Sequence, residues 1–200
     1  MKIQLIRHGM TIGNSYKRYI GRTDEPLSDA GRRALECAEK KDLETPDLLF
    51  VSPLIRCVQT ADIFFPTIPQ IVIPELAEMD FGIFENKSFQ EGLSESPEYQ
   101  KWVDSGCEDP IPEGESKQEF TDRCRKGFEK ALTMIRQMDA EKDTAAIKSA
   151  AFVVHGGTIM SILSVFAEEQ REYYDWYTTN GSGYRGEWEN QQIKNIRKLL

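Results

Sequence analysis

Lys2-Ile3-Gln4-Leu5-Ile6-Arg7-His8-Gly9 opens the chain, and Ala150-Ala151-Phe152-Val153-Val154-His155-Gly156-Gly157 repeats its grammar far downstream. In each stretch a short apolar run stops abruptly at a histidine, and glycine follows. Short runs rich in aliphatic and aromatic side chains read as strands buried in a sheet, with glycine marking the exit. The second run leads directly into a helical pattern, Thr158 to Phe166. If the two strands are parallel neighbours, both imidazoles emerge at the same sheet edge.

The stretches between them alternate in the same way. Ser28 reads as the N-cap of a helix running to about Lys41, with Ala34, Leu35 and Ala38 on one face. Asp47 to Val51 reads as a strand. Ser52-Pro53 then reads as an N-cap with proline at the first helical position, and Leu54, Val58 and Ala61 recur at helical spacing. Ile71 to Ile73 is a third strand ending near Pro74. Ser116 and Glu119 form a capping box that opens a stronger helix with Phe120, Cys124, Ala131, Leu132 and Ile135 as its stripe. Asp139 to Ser149 is a charged connection, and Tyr184 to Glu189 is read as the last strand. Strands alternating with helices predict an α/β fold, a three-layer α/β/α sandwich on a mostly parallel sheet. Ligands of such sheets bind beyond the carboxyl ends of the strands. The 200 residues are expected to form a single domain over 1–200, with an irregular lid or insertion at about 78–115 that is rich in glycine, proline and acidic residues.

The net charge of −8, with no long basic run, argues against nucleic acid and anionic membranes as partners. An anionic substrate would need positive charge concentrated locally. The four cysteines, Cys37, Cys57, Cys107 and Cys124, form no CxxC pair and are read as free thiols of a reducing compartment. The N-terminus lacks the pattern of a signal peptide and no apolar run is long enough to span a bilayer, so a cytoplasmic protein is expected.

His8 and His155 are the only two histidines, and both sit at strand ends beside glycine. A lone histidine is more often a surface or satisfied core residue, but this pairing points to a site. Arg7 adjoins His8, and Arg56 follows the second strand. Arginine presents a planar fork of donors matched to phosphate oxygens. Helix N-termini after Ser52 and Gly157 would add backbone N–H groups. Two imidazoles and two guanidiniums at one sheet edge suggest an anion pocket. The bland reading of each arginine alone is a solvated surface side chain.

The stretch Leu5-Ile6-Arg7-His8-Gly9-Met10-Thr11, continuing to Asn14, resembles the signature of the histidine phosphatase (phosphoglycerate mutase-like) superfamily. Further matches follow in family order: Gly21-Arg22-Thr23-Asp24-Glu25-Pro26-Leu27-Ser28, Ser52-Pro53-Leu54-Ile55-Arg56, Leu76-Ala77-Glu78-Met79-Asp80-Phe81-Gly82, Pro112-Glu113-Gly114-Glu115-Ser116 and Val153-Val154-His155-Gly156-Gly157. The ordered set is far more specific than any one motif. Two departures stand out: Met10 occupies a position where the family usually has a polar residue, and Ile83-Phe84-Glu85-Asn86 stands where many members read Trp-Glu-Gly.

The resemblance implies that His8 is a nucleophile forming a phosphohistidine. It implies that Arg7, Arg56, His155, Asn14 and Gly156 surround the phosphoryl group, and that Thr11 and Gly21 lie on the substrate side. Glu78 would be the general acid and then the base; from the residues alone, Glu75, Asp80 and Glu85 are equal candidates. No metal and no cofactor are implied. The expected substrate is a small phosphorylated metabolite, and the protein a monomer or homodimer. Among family members, short chains with this motif set are similar to α-ribazole phosphatases and broad-specificity phosphatases. A cofactor-dependent phosphoglycerate mutase is the alternative, and a non-catalytic regulator that binds phosphorylated ligands is a third. Tyr16, Tyr19, Phe81, Phe84 and Trp102 are candidates for the substrate side, although Trp102 with Tyr99 reads better as packing within the lid. Trp176 and Trp188 read as core or edge packing.

Overall fold

The apolar run that opens the chain forms β1 (Lys2–Arg7), followed by a single helical turn α1 (Ile12–Ser15), α2 (Asp29–Cys37), β2 (Leu48–Val51), α3 (Ile55–Phe64) and β3 (Gln70–Val72). After an irregular stretch come α4 (Pro97–Asp104), α5 (Lys117–Glu141), β4 (Ser149–Val154), α6 (Gly156–Phe166), β5 (Gly183–Glu189) and β6 (Gln192–Leu199). The computed structural model describes residues 1–39, 42–141 and 146–199.

The strands form one sheet in the order β3-β2-β4-β1-β5-β6. β1, β2, β3 and β4 run parallel, while β5 and β6 add an antiparallel edge. This is the mostly parallel α/β sheet that the alternation predicts. Side chains alternate across the pleat. Ile3, Leu5, Phe50, Phe152 and Val154 face Phe128, Leu132, Ile159 and Ile162 of α5 and α6. Ile6, Leu49, Val51, Ala151 and Val153 face Leu35 of α2 and Cys57, Ala61 and Phe64 of α3. β4 is apolar on both faces because helices cover both.

Several elements differ from their expected form. α2 ends at Cys37 rather than about Lys41, which itself lies outside the described residues. Only Gly31 and Leu35 of α2 are buried and Ala34 is exposed, so the apolar stripe is narrower than its sequence pattern. α3 begins at Ile55, with Leu54 at the N-cap and no side-chain cap. Ser52 is therefore not a helix cap; its hydroxyl is used inside the site. The Asp139–Ser149 connection is shorter than expected, because α5 runs on to Glu141; residues 142–145 lie outside the described residues. The sheet does not end at Glu189. β6 pairs with β5 through a two-residue turn in which Asn190 and Gln191 both have positive φ, 51° and 63°. That is the backbone of a type I′ hairpin turn, built here without glycine.

The 78–115 stretch carries turns at Gly82–Phe84 and Leu93–Glu95 as well as α4. Met79, Phe84, Leu93, Trp102 and Ile111 bury against Phe120 and Cys124 of α5, with Tyr19, Phe81 and Tyr99 packed alongside. Tyr19, Phe84, Tyr99 and Trp102 meet edge-on or tilted, with ring centroids 5.4 to 5.9 Å apart. Phe84 and Trp102 are thus core side chains of this segment rather than a substrate surface, whereas Tyr16 is exposed. Trp176 is fully buried against Tyr184.

Phe152 is fully buried, stacked on Phe50 at 5.0 Å and against Phe128 at 5.1 Å. Phe152→Ala is expected to cost about 3–5 kcal/mol, read as a lower urea midpoint with little change in slope. A cost under about 1 kcal/mol would mean that the sheet and α5 are not packed as described.

Candidate active site

β1 and β4 are neighbours with Arg7 paired to Val154, so His8 and His155 leave the sheet side by side. The backbone N–H of His8 still donates to Val154 O, at 2.9 Å. The two rings lie 5.1 Å apart at 64°, and both are buried.

His8 Nδ1 is 2.6 Å from Gly9 O. A carbonyl only accepts, so Nδ1 carries the proton and the neutral ring keeps its lone pair on Nε2. Burial, then the charges of Arg56 and Arg7, hold the His8 pKa well below the ordinary histidine range. Burial and Arg56 do the same to His155, with His8 and Arg7 adding to the effect. The hydroxyl of Ser52 shares a 2.6 Å hydrogen bond with His155 Nε2. Ser52 follows β2, whose Val51 pairs with Val153, and this register brings it beside His155.

The guanidiniums are anchored by backbone carbonyls. Arg56 Nη1 donates to Thr23 O, and Nη2 donates to Gly21 O at 2.8 Å and Ile20 O at 3.3 Å. Arg7 Nη1 donates to Thr178 O at 2.6 Å and its guanidinium lies 5.5 Å from the Tyr177 ring centroid. The Nε atoms of both arginines are buried without a hydrogen-bond partner. Buried donors rarely go unmet, and unmet cationic donors near two buried imidazoles fit an anionic ligand.

Glu78 is buried, its Oε1 accepting from Met79 N at 3.0 Å and its Oε2 from Gly157 N at 3.1 Å in the first turn of α6. Burial raises its pKa despite those two N–H groups and the nearby arginines. A Cβ on Gly157 would lie 2.4 Å from Glu78 Oε1, and one on Gly156 3.3 Å from Arg7 Cζ. These two glycines therefore let the acid and the guanidinium close on the helix start.

The other sequence candidates frame the pocket. Asn14 Oδ1 accepts from Thr11 N and from Asn180 Nδ2, which orients Nδ2 of Asn14 the opposite way. Thr11 is fully buried, and its hydroxyl caps α1 by accepting from Asn14 N. Gly21 lends its carbonyl to Arg56 and takes Glu85 as partner to its N–H. Thr11 and Gly21 thus shape the loop rather than offering a side chain to a ligand. Sequence reasoning passed over Ser52 as a partner of His155. It also missed Thr60, whose Oγ1 accepts from Gly9 N, and Asn180, whose Nδ2 reaches His8 O and Gly9 O. Asn180-Gly181, a turn dipeptide just before β5, was the available signal. Among the described residues no group of three or more His, Cys, Asp or Glu side chains could hold a metal ion, and no helix is long and apolar enough to cross a membrane.

An α/β fold with two buried histidines and two arginines at one sheet edge defines an anion-binding protein with a candidate nucleophile. A family model for the histidine phosphatase superfamily (branch 1) matches residues 3–198, and the chain belongs to that superfamily. It is 30% identical over 138 residues to the "Probable phosphoglycerate mutase GpmB" of Yersinia pestis, a match covering 67% of this chain and 64% of that protein. The match thus spans just under two thirds of the relative's length. Among solved structures, the α-ribazole phosphatase of Shigella flexneri superposes with a TM-score of 0.80 at 24% identity, over all of this chain and 94% of that one. A phosphoglycerate mutase of Thermus thermophilus gives 0.71 at 24% identity, over all of this chain and 99% of that one. These likenesses show the fold.

The depressed imidazole pKa values carry a consequence for stability. Unfolding returns both histidines to about 6.5, so below about pH 6.5 the unfolded chain binds more protons and stability falls. Glu78 acts with the opposite sign: its raised pKa favours the fold below the ordinary carboxyl value and ceases to as the pH rises through its folded value. Urea midpoints should drop between about pH 7 and pH 5.5, and His8→Gln with His155→Gln should flatten that drop. An unchanged slope in the double variant would show that the imidazoles are not buried neutral.

Proposed function

We propose that this protein is a metal-independent phosphomonoesterase of small phosphorylated metabolites, working through a phosphohistidine on Nε2 of His8. The observation that carries this reading is the buried His8, its Nδ1 committed to Gly9 O so that Nε2 is left for a ligand, beside two cations whose Nε donors are unpaired. In the first step Nε2 attacks phosphorus, the P–O bond to the alcohol breaks, and protonated Glu78 gives its proton to the departing oxygen. In the second step the Glu78 carboxylate takes a proton from water, the water oxygen attacks phosphorus, and the N–P bond breaks to release phosphate. Arg7, Arg56 and His155 hold the phosphoryl oxygens, with Gly156 and the Nδ2 of Asn14 at the rim. Positioning and fixed charge supply most of the catalysis of phosphoryl transfer, so two rigid guanidiniums can fill the role a metal often plays. The raised pKa of Glu78 supports its acid role, and a bound phosphate dianion would raise it further.

The mutase reading uses the same first step and hands the phosphoryl group to a phosphoglycerate instead of water. The name of the Yersinia relative favours it. The span 83–86 and the rest of the 78–115 segment would act as a lid that decides whether water or a second alcohol reaches the phosphoenzyme. The site lies in a chain read as one domain, in the cytoplasm.

Phosphate release from p-nitrophenyl phosphate and a panel of metabolite phosphates in EDTA tests the proposal. His8→Ala should lose at least about 10³-fold in kcat, and chelation should change nothing. Retained turnover would reject the nucleophile, and loss restored by a divalent cation would reject the metal-free mechanism. Glu78→Gln should cost about 10²–10⁴-fold on alkyl phosphates and much less on p-nitrophenyl phosphate, whose leaving group needs no proton. Wild-type mutase turnover dependent on 2,3-bisphosphoglycerate, without phosphate release, would favour the alternative.

A further inference from the structure

Arg123 projects from α5 into the stem of the 78–115 segment. A guanidinium has five N–H donors, and here each has a partner. Nε donates to Glu115 Oε1 at 2.7 Å, and Nη2 donates to Glu115 Oε2 at 2.7 Å and to Glu78 O at 3.1 Å. Nη1 donates to Glu75 O and Ala77 O, both at 2.9 Å. Glu115 is bound in turn: its Oε2 accepts from Asp80 N and its own N–H donates to Asp80 O, each at 2.9 Å. Both side chains are four-fifths buried. Burial alone would raise the Glu115 pKa, but the bonds to Arg123 and to Asp80 N–H, with the charges of Arg123 and Arg22, together outweigh it and hold the carboxyl below its ordinary range.

One ion pair therefore grips the chain on both sides of Glu78, at 75–78 and at Asp80, and ties the outgoing end of the segment to the same point. The Glu78 carboxyl is caught from the other side by the N–H groups of Met79 and Gly157. Neither Arg123 nor Glu115 touches the histidines by any of these bonds. We propose that Arg123 and Glu115 are a positioning pair for the general acid, holding the Glu78 backbone so that its carboxyl stands at the start of α6 beside the leaving oxygen. This rests on the reading of Glu78 as the acid. Lysine could not replace Arg123, because a point-like ammonium with three donors cannot span a carboxylate and three carbonyls. A displacement of about 1 Å at a reacting group is enough to cost about 10²-fold.

The test is kcat/KM for wild type, Arg123→Lys, Glu115→Gln, Glu78→Gln and the Arg123→Lys/Glu78→Gln double variant. The substrates are aryl phosphates of rising leaving-group pKa and one alkyl phosphate. Arg123→Lys should steepen the dependence on leaving-group pKa in the direction of Glu78→Gln, losing at least about tenfold more on the alkyl phosphate than on p-nitrophenyl phosphate. In the double variant it should add little to the alkyl-phosphate loss. A loss equal across all substrates, or one that multiplies in full with Glu78→Gln, would make the pair a structural tie only and overturn the proposal. Glu115→Gln preserves the shape and the acceptor for Asp80 N–H, so it answers the same question if Arg123→Lys does not fold. If Glu78→Gln itself leaves the leaving-group dependence unchanged, the acid assignment is what fails, and the positioning role falls with it.

Discussion

Arg56 is fully buried, and the hydrogen-bond partners of its guanidinium are the carbonyls of Ile20, Gly21 and Thr23. Arg7 is treated in the same way by the carbonyl of Thr178. Burying a cation is costly unless its donors are met. Carbonyls meet the Nη donors without cancelling the charge, as a carboxylate would. The consequence is a pocket whose positive potential survives inside a chain with a net charge of −8. Burial and, after it, that potential hold both imidazole pKa values well below the ordinary histidine range, and under the proposed mechanism the pocket receives the phosphoryl group. To meet the Nη donors the 20–23 loop turns three carbonyls toward Arg56, and the segment before β5 turns that of Thr178 toward Arg7.

The sheet makes the arrangement rigid. β1 and β4 are central and parallel, with helices on both faces, so the histidines at their ends are carried by strands buried in the core. Each is then locked by a short bond, His8 to Gly9 O and His155 to Ser52. Glu78 is carried differently. It enters from the stem of an irregular segment with its own apolar cluster, and only bonds to Met79, Gly157 and, through the backbone, Arg123 bring it to the sheet edge. The candidate nucleophile thus belongs to the core and the candidate acid to a part that can vary with substrate. Such a division suits one superfamily that hosts both hydrolases and mutases.

Much of this was legible from the residues. The apolar runs ending at His8 and His155 decided the sheet, because strands buried on both faces are continuously apolar and need no partner to be recognised. The capping box at Ser116 and Glu119 marked the start of α5, and its reciprocal bonds are present. Less visible was β6, whose sequence Gln-Ile-Lys-Asn-Ile-Arg-Lys-Leu is polar like most edge strands and follows a turn without glycine. Ser52-Pro53 imitated a helix start because the local signals of a cap say nothing about a buried imidazole alongside. Phe84 looked available to a substrate, since burial within an irregular segment leaves no periodic trace, whereas Trp102 packs within the segment as its pairing with Tyr99 suggested.

Taken by itself, the sequence determined the strand–helix alternation, the parallel class of the sheet and the placing of two histidines and two arginines at strand ends. Those follow from local polarity and period. Tertiary structure alone decided which acid is held at the start of α6, that Ser52 serves His155, that Thr11 and Gly21 build the frame, and that Arg123 binds both ends of the 78–115 segment. These depend on contacts between residues tens of positions apart, such as Gly157 with Glu78, where hydrogen-bond geometry rather than residue type selects one carboxylate among several equals.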